Sequence, residues 1–492
     1  YFVIMELSKK KEIVLYITLS FFFAITVQQF PLFKGNSLHL LHAIKDFEFN
    51  KLQNDWIANQ TNHLPFFTMF NHYLIKFFSL KILYFVHFIL LSLCSFFLFL
   101  ICKTHFKKLS NVYLSIIWFA LFLIIYHENS LFGGVAGQDI INEGYQPASF
   151  GVPFFVGIYF FLKKKNLLAV FFICLAATFH PTYTLHSGFL ISGILIYLVL
   201  RKEFKEFFKV LIFYIILILP ITIYVIYNFL LIESDILLEG QKILLNRIPH
   251  HANINHWFSN KDLLSVITYL ISLLIVYRNK RIFLPMFIFG FVAIFLSVVD
   301  YFISNNTLSL VFPWRSSVIL IPISTTIILS FLLSKISLEN KTLKLVSIIF
   351  FVLSCFFFFI KNHYIKNSNK DFNKNLELVK KINENYDSIE RILIPDNLTY
   401  IRMNTGLPIF IDWKHHAFKY DEIIHWKERL DLTRSFYNSK DFDDKKLILE
   451  NINKIEKVTH ILFYKKKFSL NCENLIDDKN FIFVEKNSCF GR

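Results

Sequence analysis

Apolar runs about as long as a bilayer is thick recur along most of the chain and stop near residue 361. Eleven can be placed, at 12–30, 82–102, 111–127, 148–162, 166–180, 183–200, 208–232, 262–277, 282–299, 316–334 and 342–360. The fifth is short because Pro181 ends it. The segments between them alternate in charge. Lys9, Lys10 and Lys11, then Lys103, Lys107 and Lys108, Lys163 to Lys165, Arg201, Lys202 and Lys205, Arg278, Lys280 and Arg281, and Lys335, Lys341 and Lys344 mark one side. The intervening loops are poorer in Lys and Arg, which predicts a cytoplasmic N-terminus and an outward region from about residue 362.

The polar segments on the outward side are 31–81, 128–147, the corner from His180 to Tyr183, 233–261 and 300–315. Within the first, 37–44 and 65–78 have the pattern of amphipathic helices lying in the membrane interface. Beyond residue 361 the pattern changes to that of an ordinary globular domain. Strands are predicted at 392–394, 409–411, 461–464 and 481–484, with helices at 421–430 and 445–454. The expected fold is mainly α: a polytopic transmembrane bundle over 1–361 and a small extracytoplasmic α/β domain over 362–492.

Composition agrees. Of 492 residues 55% are hydrophobic, 61 are Phe and only 13 are Gly, more apolar surface than a soluble domain can bury. The formal charge of +16 does not point to nucleic acid, because the basic residues cluster at the ends of the apolar runs. Lys9 to Lys11 ahead of an apolar run resemble a signal peptide without a small-residue cleavage site, so an uncleaved first span is expected, with Met5 as an alternative start. Cys94, Cys102, Cys174 and Cys355 lie in or beside apolar runs, whereas Cys472 and Cys489 could pair if their region is exported. Walker, Rossmann and HExxH motifs are missing. Acids within the spans are nearly absent, which counts against an ion-coupled transporter. Asn59, Asn305 and Asn397 form sequons of little weight in an Asn-rich chain.

The candidate chemistry lies in the outward loops. Asp46, Glu48 and Asp55 sit close to the membrane, where a carboxylate can act as a general base or hold a divalent cation, Mg or Mn; solvated loop acids are the alternative. Asp139 and Glu143 occupy a Gly-containing loop able to fold over the same cleft. Arg247, His250 and His251 form the sharpest cluster, an Arg fork suited to phosphate beside a His pair that can bind phosphate or shuttle a proton. His180 stands at a Pro-limited helix end, and Arg315 stands at the mouth of a span, where phosphate contact and snorkelling are both open. Asp412, Trp413, Lys414 and His415 are candidates for acceptor binding, with a structural role as the alternative.

The chain resembles the GT-C superfamily of polytopic glycosyltransferases, and within it an uncharacterised bacterial branch. The likeness rests on Asp46 to Phe49, Asn54-Asp55-Trp56, His180-Pro-Thr-Tyr183, Arg247-Ile-Pro-His-His251, and the pattern from Arg402 to Lys414 followed by Trp426-Lys-Glu-Arg429. It implies an extracytoplasmic active site using a polyprenyl-phosphate-type sugar donor and a glycan, lipid or protein acceptor. It also implies Asp55 (or Asp46) as the base or metal-binding acid, with Arg247 and Arg315 near the lipid phosphate. Asp46-Phe-Glu48 matches the paired acids of metal-dependent members only loosely. A flippase-like carrier of lipid-linked glycan and a glycan polymer ligase are the competing expectations. In each the chain sits in the plasma membrane with a lipid-linked partner.

Overall fold

The structure, a computed structural model, describes residues 9–28, 38–48, 50–127, 129–142, 144–303, 306–337, 340–368, 370–467, 472–477 and 480–491. The chain divides into two compact units. The first comprises Tyr1–Leu32, Phe78–Ile226 and Leu245–Lys366; the second comprises Phe33–Phe77, Tyr227–Leu244 and Asn367–Arg492. The division near residue 366 lies close to the expected boundary at 361, but the C-terminal unit also takes in 33–77 and 227–244.

The first unit is helical. A helix occupies each of the eleven predicted runs, from Lys9–Val27 to Asn340–Ser368. Among the described residues six stretches are both long and apolar enough to cross a membrane: Ile82–His105, Tyr183–Leu200, Phe204–Leu230, Lys280–Ile303, Asn306–Ser334 and Lys341–Lys361. Val112–His127, Pro147–Leu162 and Asn166–Phe179 are apolar but shorter, the last cut off at His180-Pro181. These helices make the chain a membrane protein by length and composition. Small residues let the helices approach closely: a Cβ on Gly193 would meet Pro285 Cα at 2.6 Å, so Tyr183–Leu200 packs against Lys280–Ile303 almost backbone to backbone. Some buried polar groups pair across helices, as where Trp118 Nε1 donates to Ser330 Oγ at 2.9 Å.

The second unit carries a four-stranded sheet made of β1 (Ile392–Leu393), β2 (His460–Tyr464), β3 (Asn474–Asp477) and β4 (Phe481–Glu485), in the order β1-β2-β4-β3. β1 and β2 run parallel; β4 is antiparallel to both β2 and β3. The helices Tyr420–Asn438 and Phe442–Ile455 cover both predicted helices and extend beyond them. Pro65–Phe78 forms as predicted, and Leu38–Ile44 forms within 37–44. The predicted strand at 409–411 is reduced to one parallel bridge, Ile392 to Ile409, and the Ile409 N–H, facing away from β1, is taken by the Asp55 carboxylate at 3.1 Å. β3 has only Ile476 buried, too weak an alternation to read from sequence. Cys472 and Cys489 form a disulfide.

Candidate functional site

In the first unit the segment 133–138 is clamped by its own backbone. Val135 N donates to Ser317 Oγ (2.9 Å), Ala136 N to Asp262 Oδ1 (2.8 Å), and Gly134 N to Gln138 O (2.7 Å). A side chain at Gly134 would meet Ser317 Oγ and Val318 N at 2.6 and 2.7 Å, so only glycine permits this approach. The clamp fixes Gln138, whose Oε1 accepts from Arg315 Nη2 (3.3 Å) and whose Nε2 lies 3.2 Å from His251 Nδ1. Arg315 Nη1 donates to Thr182 Oγ1 (3.0 Å), and Thr182 Oγ1 lies 2.8 Å from His180 Nδ1. Trp314 Nε1 donates to the His251 carbonyl (2.9 Å), tying the Pro249–Ala252 turn to the Pro313–Ser316 turn.

His180, His251 and Arg315, far apart in sequence, therefore meet. The His250 and His251 rings lie tilted against each other with centroids 4.0 Å apart, and the charge of Arg247 reaches both rings. Burial, followed by the charges of His250, Arg315 and Arg247, pushes His251 down to about 3, so its imidazole is neutral at physiological pH. Burial and Arg247 lower His250 as well. Arg315 is mostly buried, which lowers its pKa from the ordinary value, and among the described residues no carboxylate forms an ion pair with it. The nearby Asp262 is occupied instead: Oδ1 accepts from Ala136 N, and Oδ2 accepts from Ser259 N at 2.8 Å. A guanidinium whose hydrogen-bonding neighbours are neutral has the chemistry to receive an anion. Gln138 and Thr182 are the members that sequence reasoning passed over as ligands. Thr182 stands within the quoted His180-Pro-Thr-Tyr183 corner, and Gln138 precedes Asp139 in the glycine loop.

The acids fare differently. Asp55 is 0% exposed in the second unit. Its Oδ2 accepts from Arg402 Nε (2.9 Å) and Ile409 N (3.1 Å), and its Oδ1 accepts from Ala58 N (3.2 Å). Arg402, itself 1% exposed, also donates through Nη1 to Asp412 Oδ2. His415 Nδ1 lies 2.8 Å from the same oxygen. Burial alone would raise Asp412, but the charges of His415 and Arg402 and their hydrogen bonds outweigh it and hold Asp412 at about 2. In this conformation Asp55 has no oxygen turned to a substrate, so the expected base is here half of a buried ion pair. It does not fit a cation either, since an arginine and two amides already fill its oxygens. Asp46 and Glu48 are exposed. Among the described residues no three His, Cys, Asp or Glu side chains gather to hold a metal ion. Glu143 lies outside the described residues. Of the C-terminal candidates, Asp412 and His415 are buried in this network, whereas Trp413 is exposed.

Fold and site together define a class: a helical membrane protein with a small α/β unit and a cluster of histidine, glutamine and threonine around an arginine in its helical part. Residues 374–433 match the family described as a domain of unknown function, DUF6798, a stretch that holds Arg402, Asp412 and His415. No curated protein matches the chain.

Proposed function

We propose that the chain is an integral membrane glycosyltransferase that moves a sugar from a polyprenyl-phosphate-type lipid to an extracytoplasmic acceptor, with the lipid phosphate received by Arg315. It crosses the membrane eleven times in a GT-C-like arrangement, N-terminus inside and C-terminal unit outside. The alternation of basic loops supports that topology, and the Cys472–Cys489 disulfide suits an oxidising compartment. The observation that carries the reading is Arg315, without a carboxylate partner among the described residues, beside neutral His251 and bonded to Gln138 and Thr182. The acceptor hydroxyl oxygen bonds to the anomeric carbon as the bond from that carbon to the phosphate oxygen breaks. The proton passes to a carboxylate of the 128–147 loop, for which Asp139, next to Gln138, is the described candidate. The departing phosphate gathers negative charge, and Arg315 stabilises it there.

The full engagement of Asp55 favours a second reading, a carrier that binds lipid-linked glycan without chemistry. Purified chain in lipid nanodiscs, given a polyprenyl-phosphate sugar labelled in the sugar, separates the two. The transferase releases lipid phosphate and labels an acceptor, and Arg315→Met slows release about a hundredfold. Binding without release in the wild type sinks the enzyme and leaves the carrier.

A further inference from the structure

The second unit contains a cavity of about 330 Å³ that none of the chemistry above uses. That volume is at the lower end of the roughly 300–1,000 Å³ of small-ligand sites. Its walls include Asp396 and Asn397, which follow β1, and Tyr464, the last residue of β2. Thr433, Arg434 and Tyr437 come from the last turns of the Tyr420–Asn438 helix. The cavity thus lies beyond the carboxyl ends of two parallel strands, where open α/β sheets place ligands. Tyr437 pins the helix there, its hydroxyl directed to the carbonyls of Leu393 (3.0 Å) and Leu462 (2.8 Å), one on each strand.

The charged groups on the walls are already engaged. Arg434 Nε donates to Asp396 Oδ2 at 2.8 Å, and the Lys445 ammonium, also on the wall, is held by the carbonyls of Phe436 and Ser439. Both cations thus have partners among the described residues, and the Lys445 side chain is buried. What the walls offer is neutral and mixed. Tyr464 donates to Asn397 Oδ1 at 2.8 Å, which leaves the Asn397 Nδ2 donors without an acceptor among the described residues. Thr433 is 0% exposed, and its Oγ1 has no hydrogen-bond partner among the described residues. Native structures seldom leave such a hydroxyl unsatisfied. Tyrosine rings stand beside these groups. Paired donors and acceptors next to aromatic surface suit vicinal hydroxyls on a ring with apolar C–H faces.

We propose that this cavity is a saccharide site, taking a neutral hexose or acetamido-hexose unit of a glycan through Asp396, Asn397, Thr433 and Arg434. The site does not rest on the transfer reading, since a carrier of lipid-linked glycan would use it equally.

The test is saturation-transfer NMR on the full chain in nanodiscs, with a panel of neutral methyl hexosides and methyl acetamido-hexosides. At least one glycoside should receive saturation, and its dissociation constant should rise about tenfold in Asn397→Ala, the loss of one hydrogen-bonding group. Asn397 is exposed, so that variant should unfold at the wild-type temperature. Thr433→Val, nearly isosteric, should weaken the same glycoside. No transfer to any glycoside, or transfer unchanged in both variants, overturns the assignment. Displacement of the glycoside by millimolar inorganic phosphate also overturns it, because the cavity would then be an anion site.

Discussion

Arg315 and Arg402 show how the same side chain serves two ends. Arg402 is neutralised by two buried carboxylates and also bonded to a histidine, although its Nη2 has no hydrogen-bond partner among the described residues. Among the described residues Arg315 has neutral hydrogen-bond partners, Thr182 and Gln138. Removing Arg402 strands two buried carboxylates, so Arg402→Met should destabilise the C-terminal unit by about 3–5 kcal/mol, read as a lowered unfolding midpoint. Asp55→Asn should act the same way and leave lipid binding intact. Loss of activity at unchanged stability in Asp55→Asn would restore that acid to a chemical role. Acid should act through Asp412, whose carboxyl is held below its ordinary 3.8, at about 2. A depressed carboxylate contributes its stability above the unfolded value and loses it as pH falls through the folded one. An acid titration of the unfolding midpoint should therefore drop from about pH 4 toward about pH 2, and Asp412→Asn, already weaker at neutral pH, should lack that step. Sequence alone singled out Asp55 correctly as unusual but misjudged its surroundings. Its partner is 347 residues away, and nothing local shows whether a loop acid faces water or an arginine.

Helices were the most legible elements, because a long apolar run in a membrane protein leaves the backbone no alternative to satisfying itself. The strands depended on burial: β2 and β4 were found, whereas Asn474–Asp477 hides a single side chain. The loops were legible as places but not as shapes. The 133–138 segment shows why, since it is held by Ser317 and Asp262 from distant helices and by the absence of a side chain at Gly134. Gly134→Ala should force the segment off Ser317, cost about 1–3 kcal/mol of stability, and weaken lipid-phosphate binding by displacing Gln138. Binding equal to wild type in a folded Gly134→Ala protein would detach the clamp from the site. The disulfide closes a separation of 17 residues, and Cys472→Ser should cost about 3 kcal/mol in the unfolding of the C-terminal unit.

At the scale of the molecule, two compact units share one chain, and the C-terminal one draws in 33–77 and 227–244 from between the membrane helices. A linear reading divides the chain once and misses this, because compositional change marks where a domain begins and not which earlier loops join it. The predicted topology can be checked in intact cells. Cys472 and Cys489 should react with a membrane-impermeant maleimide after mild reduction and not before; reaction only after lysis would reverse the orientation. The most direct test of the account is native mass spectrometry of the detergent-purified chain with polyprenyl phosphate, comparing wild type, Arg315→Gln and Arg402→Met. Retention of the lipid by wild type and by folded Arg402→Met, with loss in Arg315→Gln, is the predicted result. Equal retention by wild type and Arg315→Gln would contradict it, since Arg315 would then not be the phosphate receptor.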